Sequence, residues 1–401
     1  MPLALLALAV TAFGVGTSEF AIMGLLPQVA QGVGVSIPAA GGLITGYAAG
    51  VIVGAPLLTA ASARLTRRAT LLVVAALLVA GSVLSAVASG YGLLLVARVV
   101  AGVPQGALFG VGSVVAVQIV PPERRGTAMS IMFGGFTMAN VAGVPVVTWL
   151  GQAAGWRATF WAIAALGALS GVGIAALVPR RLRSEGEAGL RSELATLRRP
   201  QVWLAMAVTT AGFGGVFASF TYVAPMMTDV AGFSASSMTV LLVIFGLGMA
   251  TGNLLSGRYA GRRLMPSLYV FLAGLTVVLS LFVVTAHSKA LAACTLFMLG
   301  LFGFATVPAL QMRILDTAAG APTLASALNL SAFNIANALG AFLGGTVISA
   351  GFGYTSPNAI GAVLAAAGLA LAICSGKIDA RAKGRSHDDR HARNRTLHTR
   401  P

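Results

Sequence analysis

The sequence predicts an all-α polytopic membrane protein with twelve transmembrane helices in two six-helix pseudo-repeats. Three observations predict it. Of 401 residues, 57% are hydrophobic and 9% charged, whereas a soluble domain carries about 25% charged residues. Apolar stretches of about 20 residues, long enough to cross the hydrocarbon layer, recur along the chain. The 26 bases fall almost entirely in alternate connections between them, so successive stretches run in opposite directions.

The first apolar stretch lies near 5–27. It has no positive leading segment, and Ser18-Glu19 interrupts it, so it reads as a span and not a signal peptide. Further spans are expected near 39–60, 70–89, 93–118, 127–150 and 158–178. The connection Ser89-Gly90-Tyr91-Gly92 is too short for anything but an antiparallel turn. Residues 179–200, rich in Arg, Ser and Glu, read as a linker. Six more spans follow near 203–225, 237–257, 267–286, 290–311, 325–349 and 357–375. The domain division is thus a bundle at 1–178, a linker at 179–200, a bundle at 201–376 and a basic tail at 377–401. The tail, polar and aperiodic, is expected to be disordered.

With the N-terminus in the cytoplasm, 23 bases face that side and only Arg157 and Lys289 the other. Lys and Arg concentrate in cytoplasmic loops, so both termini are placed there. The halves match at a nearly fixed offset. Gly54, Asn140 and Gly155 recur as Gly252, Asn337 and Gly353, at offsets of 198, 197 and 198. Parallel repeats place a substrate site near the midplane between the halves.

The net charge of +16 does not indicate nucleic-acid binding, because no basic face with interleaved aromatics appears. Cys294 and Cys374 lie in apolar stretches and read as buried thiols, not a disulfide. No metal-ligand cluster is expected, from His387 and His391 or elsewhere. The only Gly-Lys pair, Gly376-Lys377, precedes Ile378, so there is no phosphate loop. No cofactor is expected, and the chain is not read as an enzyme.

Two charges stand deep in the spans. Glu19 is the only deep acid, about 12 Å below Pro27, and Arg98 the only deep base, about 9 Å below Gly92. An intramembrane charge costs roughly 2.5–3.5 kcal/mol, so it needs a function or a partner. From the residues alone two readings stand level: a carboxylate whose protonation alternates, tuned by the arginine, or a permanent ion pair pinning spans 1 and 4. Stripes of small residues occur in span 2 (Gly42, Gly46, Gly50, Gly54), span 5 (Gly135, Ala139, Gly143), span 8 (Gly248, Gly252, Ser256) and span 11 (Ala336, Gly340, Gly344). Such stripes allow close helix approach.

Several segments carry a family resemblance. They are Gly16-Thr17-Ser18-Glu19-Phe20-Ala21-Ile22-Met23-Gly24-Leu25-Leu26-Pro27, Arg64-Leu65-Thr66-Arg67-Arg68, Arg98-Val99-Val100-Ala101-Gly102, Pro121-Pro122-Glu123-Arg124-Arg125-Gly126, Asn140-Val141-Ala142-Gly143-Val144-Pro145 and Gly155-Trp156-Arg157-Ala158-Thr159-Phe160-Trp161. On these the chain resembles the major facilitator superfamily, in the drug–proton antiporter branch with chloramphenicol-resistance and arabinose-efflux-type permeases.

The resemblance implies a bacterial plasma-membrane protein, monomeric, exchanging a small molecule for protons across the bilayer. It places the coupling acid on Glu19, with Arg98 beside it. It turns Tyr47, Gln105, Phe136, Asn140, Phe217, Tyr222, Phe333, Asn334 and Asn337 toward a central cavity, apolar with few polar anchors. It pairs spans 2 and 11, and 5 and 8, across the halves, with the small-residue stripes as packing or sliding surfaces. Where the family's loop motif usually has an acid, this chain has Ala63, which leaves Glu123 as the partner expected for Arg64 or Arg67 in a cytoplasmic gate. Efflux of an amphiphilic drug is the expected activity. Export of a sugar, nucleoside or other metabolite stands as the alternative, and a membrane-embedded sensor or enzyme as the one outside the class.

Overall fold

The structure, a computed structural model, describes residues 3–62, 65–180, 200–318 and 322–397. It is helical throughout these segments. Twelve helices are long and apolar enough to cross a membrane. Six form the N-terminal half: spans 1 (Ala4–Gly24), 2 (Ile37–Ala55), 3 (Arg67–Ala86), 4 (Tyr91–Gln118), 5 (Pro122–Ala154) and 6 (Trp156–Leu177). Six form the C-terminal half: spans 7 (Pro200–Phe220), 8 (Ala235–Tyr259), 9 (Leu264–Thr285), 10 (Lys289–Thr317), 11 (Leu328–Ser349) and 12 (Ser356–Asp379). Residues 181–199, most of the expected linker, lie outside the described residues.

The outer surface is apolar. Leu254 is 76% exposed and Val284 74%, and Leu57, Trp149 and Phe342 stand out in the same way. Such a surface is untenable in water and ordinary against lipid. Cys294 and Cys374 are on it too. The expectation of buried thiols is corrected: an apolar stretch in a span has a lipid-facing side as well as a packed one.

Among the described residues, Arg67, Arg68, Arg124, Arg125, Arg258, Arg262 and Arg263 lie at one end of the bundle, here the basic end. Turns at the opposite, far end contain Gly34, Gly155, Gly232, Gly351 and Gly353, whose φ values are all positive. Glycine adopts that conformation without the Cβ penalty. The two bases at the far end rest on aromatic faces, Arg157 over Trp156 and Lys289 over Phe233.

The small-residue stripes weld helices within each half. In span 2, Gly42, Gly46, Gly50 and Gly54 meet Tyr91, Leu95, Val99 and Val103 of span 4 in turn. In span 8, Gly248 and Gly252 meet Phe297 and Leu301 of span 10. The span 5 stripe packs on span 1, through Gly135 against Ala9 and Gly143 against Thr17. The span 11 stripe packs on span 7, through Gly340 against Gly214 and Gly344 against Ala218. The reading of these stripes as sliding surfaces between the halves is therefore corrected: every four-residue ladder is matched by a helix of its own bundle.

Spans 2 and 11, and 5 and 8, do meet across the halves, but through other residues. Gly345 of span 11 lies near the carbonyl of Pro38 in span 2, Gly41 of span 2 also takes the hydroxyl of Tyr222, just beyond span 7, and Gly246 of span 8 abuts the backbone of Asn140 and Val141 in span 5. The last contact falls where span 5 forms a π-turn, Ala139–Gly143. Pro145 has no N–H to give the carbonyl four residues back, which favours such a local unwinding. At the far end Gln152 Nε2 donates to the carbonyl of Ala235, 2.6 Å away. Among the described residues, the cross-half hydrogen bonds and close glycine approaches lie at the midplane or toward the far end.

Helix Ser356–Leu397 runs on from span 12 into the tail. A formed span removes the nucleation cost, and the Ala- and Arg-rich continuation has no proline before Pro401. Arg313, near the basic end of span 10, is 6% exposed. It donates to Asp379 Oδ2 at 2.6 Å and also reaches Ser375 Oγ and Gln201 Oε1.

Candidate functional site

The buried polar cluster is centred on Glu19, about three quarters of the way along span 1 from the basic end and 5% exposed. Neighbouring residues 18 and 19 point about 100° apart on a helix. Ser18 accepts from Arg98 Nη1 at 3.3 Å, and Arg98 Nη2 reaches the backbone carbonyl of Glu19 at 3.5 Å. The guanidinium lies 4.6 Å from the centre of the Tyr47 ring, a cation–π arrangement. Tyr47 in turn donates to the carbonyl of Val15 at 3.4 Å.

The carboxylate turns elsewhere. Its Oε2 accepts from Gln105 Nε2 at 2.9 Å, and its Oε1 from Asn337 Nδ2 at 3.5 Å. Arg98 and Glu19 therefore form no side-chain ion pair; among the described residues the ion pair is Arg313–Asp379. Residues 98 and 105 are seven apart, two turns along one face of span 4. Arg98 holds the span 1 backbone, while the carboxylate reaches toward the amide. The permanent ion pair considered above is corrected accordingly.

Gln105 belongs to the N-terminal half and Asn337 to the C-terminal half, so Glu19 is bonded from both. Phe20, the next residue, joins the halves as well. Its ring packs against Phe136 of span 5 and against Phe217 and Phe220 of span 7, with centroids 6.0–6.3 Å away. From Phe217 the ring contacts run through Phe213, Phe304, Phe245 and Phe220 back to Phe20. Phe333 joins at Phe213, and Phe109 at Phe136. The result is an apolar, polarisable cluster of rings beside a single carboxylate.

The sequence-predicted residues thus divide. Glu19, Arg98, Tyr47, Gln105 and Asn337 form one cluster; Phe136, Phe217 and Phe333 belong to the adjoining rings. Asn140 and Asn334 are buried, but their amides donate to their own helices, to the carbonyls of Phe136 and Leu330. Tyr222 lies in the far-end seal and donates to the carbonyl of Ala341 at 2.7 Å. Of the gate residues, Arg64 lies outside the described residues, Arg67 starts the span 3 helix behind the Thr66 cap, and Glu123 stands exposed in the turn Pro122–Arg124. Phe20, Phe213, Phe220, Phe245 and Phe304 escape the sequence reading. The spacing of Phe213, Phe217 and Phe220 on one helical face was the available signal.

The chain's relatives share this architecture. The profile described as Major Facilitator Superfamily matches residues 8–329. The chain belongs to the major facilitator superfamily. Within this superfamily it is 44% identical over 377 residues to the "Inner membrane transport protein YdhP" of Escherichia coli (strain K12), covering 93% of this chain and 96% of that protein. It is 35% identical over 378 residues to the "Chloramphenicol resistance protein" of Streptomyces lividans, covering 93% and 96%. Among solved structures, a bacterial homologue of the human lysosomal transporter Spinster, inward-facing and occupied, superposes with a TM-score of 0.73 at 16% identity. That match covers 93% of this chain and 96% of the other. The chain is a superfamily membrane transporter and not an enzyme.

Proposed function

We propose that this transporter exports a small, largely apolar molecule in exchange for protons, by alternating access. The observation that carries the reading is the position of Glu19. It is a lone buried carboxylate at the junction of the halves, held by neutral donors from each and flanked by phenylalanine rings. A carboxylate bonded by neutral side chains takes up a proton more readily than one paired directly with a guanidinium. The ring lining suits an aromatic or amphiphilic solute. The similarity to a chloramphenicol resistance protein points the same way.

With the basic end in the cytoplasm, the far-end contacts close the outer side and the arrangement is the inward-facing one. Tyr222, Asn140 and Asn334 then act in sealing and packing. Glu123 with Arg64 or Arg67 would latch the basic end in the opposite state, as an exposed pair of about 1 kcal/mol or less.

The test uses inside-out vesicles carrying an imposed pH gradient, acid inside, and a pH-sensitive dye. Adding chloramphenicol should release protons from vesicles that contain the protein and not from empty ones. Chloramphenicol accumulation with no proton movement would contradict proton exchange; no response to either would contradict the drug reading.

A further inference from the structure

The amides around Glu19 carry an unmet half. An ionised carboxylate only accepts hydrogen bonds, so Gln105 and Asn337 must each present the NH2 side to it. That leaves Gln105 Oε1 and Asn337 Oδ1 buried without a donor. Both residues are buried, at 3% and 1% exposure. A buried acceptor without a donor costs free energy, and here two such acceptors stand at one carboxylate, one from each half.

We propose that Gln105 and Asn337 are a proton-read acceptor pair for the substrate. The inference rests on the proton-exchange reading of Glu19. When Glu19 is ionised, the two carbonyls are free to accept from a hydroxyl, amide N–H or ammonium group of the solute, whose apolar body lies among the rings. When Glu19 binds a proton, its carboxyl becomes a donor as well. An amide then turns its carbonyl to that O–H, and the acceptor is withdrawn from the substrate. Substrate and proton compete without touching the same atom, and by linkage each expels the other. The substrate class is therefore an aromatic or aliphatic body with a hydrogen-bond-donating head. Because Asn337 belongs to the C-terminal half, the same turn breaks or makes a link between the halves.

The titratable groups facing Glu19 are Arg98 of span 4 and Tyr47 of span 2. Spans 5, 7, 8 and 11 contribute none at this level. Neither Arg98 nor Tyr47 titrates between mildly acidic and mildly alkaline buffer, so a pH response in that range at this cluster reports Glu19.

The experiment measures chloramphenicol binding to purified protein in mildly alkaline and mildly acidic buffer, for wild type, Gln105→Met and Asn337→Leu. Wild type should bind more tightly in alkaline buffer. Each variant should lose about three- to tenfold at alkaline pH, the worth of one hydrogen bond, and lose most of the pH dependence. Variants that retain the wild-type pH dependence would overturn the proposal. A second measurement needs no ligand and leaves both amides in place. Acid-induced infrared difference spectra of wild type should show a carboxylic-acid band together with a side-chain amide carbonyl shift, both absent from Glu19→Gln. A carboxyl band with no amide change would overturn the relay. If chloramphenicol does not bind wild type at either pH but the amide shift is present, the relay stands and the drug assignment fails.

Discussion

In the N-terminal half, Gly50 meets Val99, Gly54 meets Val103 and Gly102 meets the backbone of Tyr47; in the C-terminal half, Gly248, Gly252 and Gly300 meet Phe297, Leu301 and Phe245. Each partner in the second set lies 198 residues after its counterpart in the first. The backbone-to-backbone seams of the two bundles are thus the same seams. At that same offset Glu19 becomes Phe217, Arg98 becomes Leu296 and Gln105 becomes Gly303. One bundle keeps the midplane charges; the other supplies rings and a single amide, Asn337. Duplication preserved what close packing demands, while the chemistry at the junction is carried by one side. The C-terminal half has its own buried arginine, Arg313, but at the basic end and already neutralised by Asp379.

This contrast can be broken most forcefully at the two arginines. Arg98→Leu should abolish gradient-driven transport, by more than tenfold, while protein still accumulates in the membrane. It releases Ser18 and the Glu19 carbonyl, which set the carboxylate. Leu296→Met at the equivalent place should leave transport within twofold, since volume-conserving apolar exchanges are tolerated. Paired transport assays on the two variants check this. Asp379→Leu should behave in the opposite manner. Losing a charge-assisted bond to a buried guanidinium costs about 2–3 kcal/mol, so thermal unfolding should shift clearly downward while coupling to protons persists.

The bundle architecture was legible because hydropathy, alternating charge and the internal repeat are properties of single segments. Glu19 and Arg98 were legible because a charge deep in a span needs a reason, whereas Gln105 and Asn337 were reached only through the family resemblance. What the sequence could not provide was direction. Glu19 and Arg98 stand at similar depth, yet the rotation of span 1 sends Ser18 to the guanidinium and the carboxylate to Gln105. The glycine ladders have the right spacing for any partner, and only the assembled bundle shows that span 2 spends its ladder on span 4.

A smaller effect sharpens the duplication. Gly50→Ala and Gly248→Ala each set a methyl against a backbone carbonyl across the seam. Both should destabilise by about 1–2 kcal/mol, and by similar amounts, as read from thermal unfolding in the same detergent. A large loss in one and none in the other would break the equivalence of the seams.

Glu19→Gln tests the central claim most directly. The substitution is near-isosteric and permanently neutral. In inside-out vesicles with an imposed pH gradient, the variant should fail to accumulate chloramphenicol uphill while still exchanging it downhill, and Glu19→Asp should retain some accumulation. If Glu19→Gln concentrates the drug in response to the gradient as wild type does, the carboxylate at the junction of the halves is not the coupling group.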